Sequence, residues 1–143
     1  LMSLRVEKGY GSWGRDYSPE YWPQESGLAG LIRADKPFLN RDAWLAVKDK
    51  PPRDTMVMLE IDAADADAQG GEPVFLPDGT PAGQVSSGAY GYSVGKSLAI
   101  AYLKAGLVAP GDELRVAILG GSVPARVLHR PPFDPEGNRL RGR

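Results

Sequence analysis

Gly83-Gln84-Val85-Ser86-Ser87 and Ser97-Leu98-Ala99-Ile100-Ala101-Tyr102-Leu103, parted by the glycine- and tyrosine-rich run from Gly88 to Lys96, decide the fold. Both are short, largely apolar stretches bounded by breakers, which is the pattern of β-strands. Residues 55–61, 73–76, 113–119 and 123–128 share it, set off by Gly, Pro and Asp clusters. Pro77-Asp78-Gly79 and Pro110-Gly111-Asp112 supply turn chemistry between strands. Six short strands in about 75 residues predict a small β-barrel or sandwich.

Upstream the character differs. Asn40 reads as a helix N-cap, with Ala43, Trp44, Ala46 and Val47 as the apolar positions of a helix that ends before Pro51-Pro52. The double proline with Lys48, Lys50 and Arg53 reads as a linker. Before that helix, Gly9, Gly11, Gly14, Pro19 and Pro23 interleave with Tyr10, Trp13, Tyr17, Tyr21 and Trp22, a breaker-rich loop that packs somewhere or binds something flat. In residues 4–8, Leu4 and Val6 alternate with Arg5 and Glu7, predicting a strand with a charged face open to a polar partner. No turn or cap precedes it, so the chain is expected to begin partway through an element. The proline- and arginine-bearing tail from Arg130 is expected along the surface.

Composition removes several classes of function. The chain has 143 residues, 42% apolar and 24% charged, ordinary for one globular domain. A net charge of −1 argues against bulk electrostatic binding to nucleic acid or an anionic membrane. With no cysteine, disulfides, thiolate metal sites and thiol nucleophiles are excluded. The apolar runs fall short of a membrane span, and residues 1–14 lack the layout of a secretion signal.

Individual motifs are weak when read alone. Gly91-Tyr92-Ser93-Val94-Gly95-Lys96-Ser97 imitates a phosphate loop, but the spacing puts Tyr90 where its first glycine belongs and a strand follows. Asp65, Asp67, Gln69 and Gly70 echo a calcium loop, yet Leu76 stands where the bidentate acid is required, so a solvated acidic turn is the better reading. His129 is the sole histidine, and Arg139, Arg141 and Arg143 form a solvated tail. Glu7 is an exposed strand charge by local pattern. A carboxylate can also pair with a donor–donor edge such as a pterin presents through its ring N–H and exocyclic amine.

Taken together the motifs carry a resemblance. Leu4-Arg5-Val6-Glu7-Lys8-Gly9-Tyr10, Trp13-Gly14, Glu20, Glu25-Ser26-Gly27-Leu28 and Lys36-Pro37-Phe38-Leu39 resemble the end of the folate-binding domain of dimethylglycine and sarcosine dehydrogenases. Gly79-Thr80-Pro81-Ala82-Gly83, Val85-Ser86-Ser87-Gly88, Tyr90-Gly91-Tyr92-Ser93, Gly95-Lys96-Ser97-Leu98-Ala99 and Val123-Pro124-Ala125 resemble the aminomethyltransferase barrel. Lys8-Gly9 and Trp13-Gly14, where glycine-cleavage T-proteins usually read Ala-Gly and Tyr-Gly, favour the dehydrogenase branch. Asn40 stands where the family commonly has glycine, and Ser86 where it commonly has threonine.

The resemblance implies an α+β, mainly β chain: the C-terminal segment of a folate-binding domain (1–50), an antiparallel β-barrel (51–130) and a tail (131–143). It implies that Glu7 holds the pterin of tetrahydrofolate, that Lys8 and Trp13 line the site, and that Arg53 meets the folate tail. Trp13 is equally readable as a plug between domains. The family's catalytic aspartate lies upstream, so no catalytic residue is assigned here, and FAD would sit in a further upstream domain. The implied reaction oxidises an N-methyl amine and captures the one-carbon unit on tetrahydrofolate, in bacterial cytoplasm or the mitochondrial matrix. This chain would pack on the upstream folate domain and be inactive alone. The alternatives are the end of a flavin-free aminomethyltransferase and a non-enzymatic barrel that docks on a partner.

Overall fold

The computed structural model describes residues 1–142. After the double proline come six strands: β1 (Asp54–Ile61), β2 (Pro73–Phe75), β3 (Pro81–Gly91), β4 (Lys96–Lys104), β5 (Glu113–Ile118) and β6 (Gly121–Val127). They close into an antiparallel barrel in the order β1-β4-β3-β2-β5-β6, with β6 returning to β1. Closure matters for so small a sheet, because it leaves no edge with unpaired backbone groups. The expected barrel and its six strands are therefore present.

β4 shows how the barrel relates to the rest of the chain. Its residues from Ser97 to Leu103 are all buried, although side chains of a strand point alternately to opposite faces. Ala99, Ala101 and Leu103 point inward and join Leu59, Val74, Val85, Val116 and Val127 in the barrel core. Leu98, Ile100 and Tyr102 belong to the outer face and are buried as well. What covers them is the N-terminal segment, whose Tyr21 stacks on Tyr102 with ring centroids 3.5 Å apart.

β3 runs further than the breaker pattern suggests. The strand expected over residues 83–87 continues through Gly88 to Gly91, both within the ladder. At Gly88 a Cβ would stand 2.2 Å from the Ala68 carbonyl oxygen, so this glycine marks a close backbone approach and not a turn. β3 also carries a bulge: Val85 pairs with Ala101 and Ser87 with Ile100, leaving Ser86 as the extra residue.

The first residues correct the strand expected at 4–8. They form a helix, α1 (Met2–Glu7), and burial explains the misreading. A strand would put Leu4 and Val6 on one face, but Leu4 is 63% exposed and Val6 is fully buried. Glu7, expected on an open charged face, is fully buried.

A second helix, α2 (Arg41–Val47), follows Asn40 as expected, but the cap works differently. Asn40 adopts a left-handed conformation (φ 63°), makes no side-chain capping bond and contributes its carbonyl to the Trp44 N–H at 3.0 Å. Glycine and asparagine tolerate that conformation best, which is why asparagine can stand at this position.

The stretch expected to be a linker is a fixed part of the fold. The Arg53 carbonyl accepts from the Ala105 N–H at 3.1 Å and its side chain is bound to Glu25. The tail does lie along the surface, returning over α1: Asp134 pairs with Lys8, and the Phe133 N–H donates to the Glu7 carbonyl at 3.2 Å. Arg139 stacks over Phe133. Arg143 lies outside the described residues.

Candidate functional site

Three buried carboxylates tie down the N-terminal segment at three points along the barrel. Glu7 sits by the β3–β4 hairpin, Asp16 by the bulge, and Glu25 by the start of β1. All are nearly or wholly inaccessible to solvent. A buried carboxylate is tolerable only when donors replace its water, so their partners are informative.

Asp16 is fully served. Its Oδ2 accepts from Arg5 Nη1 (2.8 Å), the Ser12 N–H (2.8 Å) and Ser87 Oγ (3.0 Å), and its Oδ1 from Ser86 Oγ (2.6 Å). Glu25 is likewise served: Oε1 accepts from the Arg53 N–H and Nε, each at 2.8 Å, and Oε2 from Arg53 Nη2 and the Trp22 N–H, each at 2.7 Å.

Glu7 is not. Its Oε1 accepts from the Ser93 N–H at 2.8 Å and from Ser3 Oγ at 3.3 Å, while Oε2 is buried with no donor. Gln24 Oε1 and Ser97 Oγ are also buried and unpartnered, but among the described residues only Glu7 leaves a carboxylate oxygen so placed. The approach of Glu7 to the hairpin depends on Gly91, where a Cβ would lie 3.0 Å from Glu7 Cγ and 2.9 Å from Leu98 Cδ1. An unmet buried acceptor costs on the order of 1–3 kcal/mol, which a donor brought by a ligand would recover.

The other expected site residues separate. Lys8 turns to the tail, where its ammonium pairs with Asp134 Oδ2 at 2.9 Å and with the Asp134 carbonyl, and this pairing holds the Asp134 carboxyl below its ordinary range. Trp13 stands 77% exposed, near in sequence to the exposed Tyr10. Arg53 belongs to Glu25: it also donates to the Glu20 carbonyl at 2.6 Å and lies over the Trp22 ring. In the ladder Asp54 is level with Lys104 and Gly91 with Lys96, so about 25 Å of strand separates Arg53 from the hairpin beside Glu7. In this chain the guanidinium of Arg53 is engaged by Glu25, far along the strand from Glu7.

Local sequence does not mark Asp16 or Glu25 as a buried acid, although Glu25 stands within the Glu25-Ser26-Gly27-Leu28 motif. A faint signal was there: two acids in an aromatic, glycine-rich loop, with Arg5 and Arg53 as possible counter-charges.

The Glu25 pair has a pH signature. The Arg53 side chain, assisted by the Trp22 and Arg53 N–H groups, lowers the Glu25 pKa from its ordinary 4.5 to about 2 against the opposing effect of burial. A depressed folded-state value gives stability that is complete above the unfolded value and lost as the carboxylate protonates. The stability advantage of the parent over Arg53→Met should be full above pH 4.5 and fade toward about pH 2, as thermal melts across that range would record. An advantage constant with pH would refute this.

A cavity of about 820 Å³ at one barrel end is lined by Glu60, Lys96, Ser97, Arg115 and Arg126 but does not reach Glu7. Its charges largely satisfy each other or nearby groups, through Lys96–Glu60 at 3.1 Å and Arg115 to Ser122. Lys96, the lysine of the phosphate-loop imitation, is thus spent on Glu60, and β4 follows it where that motif needs a helix. The unmet carboxylate makes Glu7 the stronger candidate.

Residues 55–134 match the family described as the glycine cleavage T-protein C-terminal barrel domain. The chain belongs to that family. Among curated relatives, 4-methylaminobutanoate oxidase (formaldehyde-forming) of Paenarthrobacter nicotinovorans is 38% identical over 99% of this chain and 17% of its own length. Human mitochondrial dimethylglycine dehydrogenase is 33% identical over 98% of this chain and 16% of its own. An aminomethyltransferase of Thermotoga petrophila is 33% identical over 90% of this chain and 34% of its own. The crystal structure of glycine cleavage system aminomethyltransferase T from Bartonella henselae superposes with a TM-score of 0.84 at 25% identity, covering 94% of this chain and 38% of that one. This T-protein-type barrel chain thus spans about a sixth of the oxidase and dehydrogenase relatives and about a third of the aminomethyltransferases. Among its described residues no helix is long and apolar enough to cross a membrane.

Proposed function

We propose that this chain is the C-terminal part of a folate-dependent one-carbon enzyme of the dimethylglycine dehydrogenase type, in which Glu7 holds the pterin of tetrahydrofolate. The observation that carries the reading is Glu7 Oε2, a buried carboxylate oxygen without a donor. The residues fit the group: the remaining acceptor sites of Glu7 match an edge that presents a ring N–H beside an amine. Tetrahydrofolate, when bound, supplies the nitrogen that accepts the one-carbon unit, and flavin in an upstream domain supplies the oxidation of the N-methyl amine.

The work of this chain's own residues is positional. Glu7 orients the pterin, α1 and the hairpin hold Glu7, and the barrel keeps water from that side of the site. Lys8, tied to Asp134, contributes its stem to the wall and fixes the end of α1. Leu4, Tyr10 and Trp13 are each exposed, and on these apolar side chains we place the upstream folate domain. No catalytic side chain is assigned here, and the fragment alone is expected to be inactive. The compartment is the cytoplasm in a bacterium or the mitochondrial matrix in a eukaryote.

Similarity to both dehydrogenases and aminomethyltransferases leaves a flavin-free aminomethyltransferase as the second reading. Calorimetric titration of tetrahydrofolate into the natural-length protein tests the folate site. Binding by the parent that is lost in Glu7→Ala is expected; equal binding by both, or by neither, overturns the role of Glu7. The flavin absorbance of the purified protein separates the two enzymes.

A further inference from the structure

We propose that Asp16 is a positioning residue for the ligand at Glu7: through Arg5 it sets how α1 lies on the barrel and hence where the Glu7 carboxylate points. This rests on the reading of Glu7 given above and extends it to a residue that need not touch the ligand.

α1 has six residues and no side-chain N-cap. A helix that short does not hold its own geometry in water, so contacts from outside must fix it. Its polar grip is Arg5, whose Nη1 donates to Asp16 Oδ2 and Nη2 to Ser87 Oγ, both at 2.8 Å. Ser87 in turn donates to Asp16 Oδ2, closing a three-membered ring of hydrogen bonds between α1, the aromatic loop and β3. Two parallel prongs of a planar guanidinium fix direction as well as distance. Because Arg5 and Glu7 leave the helix on different sides, tilting α1 about the Arg5 contact would swing the Glu7 carboxylate off the Ser93 N–H.

The barrel is shaped for this ring. In a regular strand Ser86 and Ser87 would point to opposite faces. The bulge between Val85 and Ser87 lets both hydroxyls reach the same carboxylate, at 2.6 and 3.0 Å. Bulges of this kind commonly re-aim side chains beside functional sites. Asp16 is itself held from behind, its carbonyl accepting from the Tyr102 hydroxyl at 2.7 Å.

A double-mutant cycle in the natural-length protein separates positioning from simple structural support. Tetrahydrofolate affinity by calorimetry and thermal midpoint are measured for Asp16→Asn, Glu7→Gln and the double variant. Asp16→Asn is expected to weaken binding about tenfold when Glu7 is present and by less than about twofold when Glu7 is already Gln, since coupled residues are not additive. Arg5→Lys, which keeps the charge but loses the fork, should repeat the pattern and serves if Asp16→Asn does not fold. Unchanged affinity beside a lowered midpoint, or an equal loss in both backgrounds, overturns the positioning role and leaves Glu7 standing. If Glu7→Gln alone binds tetrahydrofolate as well as the parent, the reading of Glu7 fails first and the positioning role with it.

Discussion

Replacing Arg53 by alanine is expected to destabilise the fold by about 3 kcal/mol, lowering the thermal midpoint by roughly 10 °C. The size follows from asymmetric burial: the Glu25 side chain is wholly buried, whereas that of Arg53 is about half exposed. Without Arg53 the Glu25 carboxylate keeps only the N–H donors of Trp22 and residue 53. Glu25→Gln should cost less, because the orphaned guanidinium reaches solvent and the amide oxygen retains part of the network. Thermal melts of the two variants check the order; equal or reversed losses would mean that the pair is not the anchor described. The Glu25 carbonyl also accepts from the Met56 N–H at 2.8 Å, so the loss should extend to the start of β1.

The second large effect separates binding from stability. Glu7→Gln in the natural-length protein is expected to weaken tetrahydrofolate binding about a hundredfold, the equivalent of roughly 3 kcal/mol. Glutamine keeps the volume and can keep an oxygen on the Ser93 N–H, but its amide then presents N–H groups to a ligand edge that is itself all donor. Donor facing donor is worse than an absent contact, which is how buried polar sites reject a wrong partner. The same change removes a buried negative charge whose second oxygen has no donor. The thermal midpoint of the ligand-free protein should therefore hold or rise. Lost affinity together with a large fall in midpoint would instead make Glu7 a structural anchor like Glu25.

The barrel was legible because its signals are local. Each strand is short, turn residues such as Pro77-Asp78-Gly79 stand between neighbours, and three of the six ladder pairings, β2–β3, β3–β4 and β5–β6, join strands adjacent in the chain. α1 was not, because with few residues Leu4 and Val6 fit a period of two as well as a helical turn, and only the burial of Val6 beside exposed Leu4 decides between them. The position of Glu7 was readable through a resemblance, but its burial and half-met carboxylate were not. Asp16 and Glu25 escaped because their partners lie at Ser87 and Arg53, 71 and 28 residues away. No local pattern encodes pairings of that range. The expected strand stops short at Ser87 for a related reason, since a glycine such as Gly88, demanded by a distant backbone, looks the same in sequence as one that makes a turn.

Covering β4 on both faces also fixes the order in which the chain can be completed during synthesis. Residues 1–28 leave the ribosome before the strands they cover, β3 and β4, and the barrel beneath closes only when β6 reaches β1. Long-range pairings of this kind are the slow part of folding. The nascent segment bearing Glu7, Asp16 and Glu25 must wait for about a hundred residues to follow it, soluble by virtue of carboxylates that the finished fold will bury. The charges that dock the segment at the end thus keep it in water at the beginning.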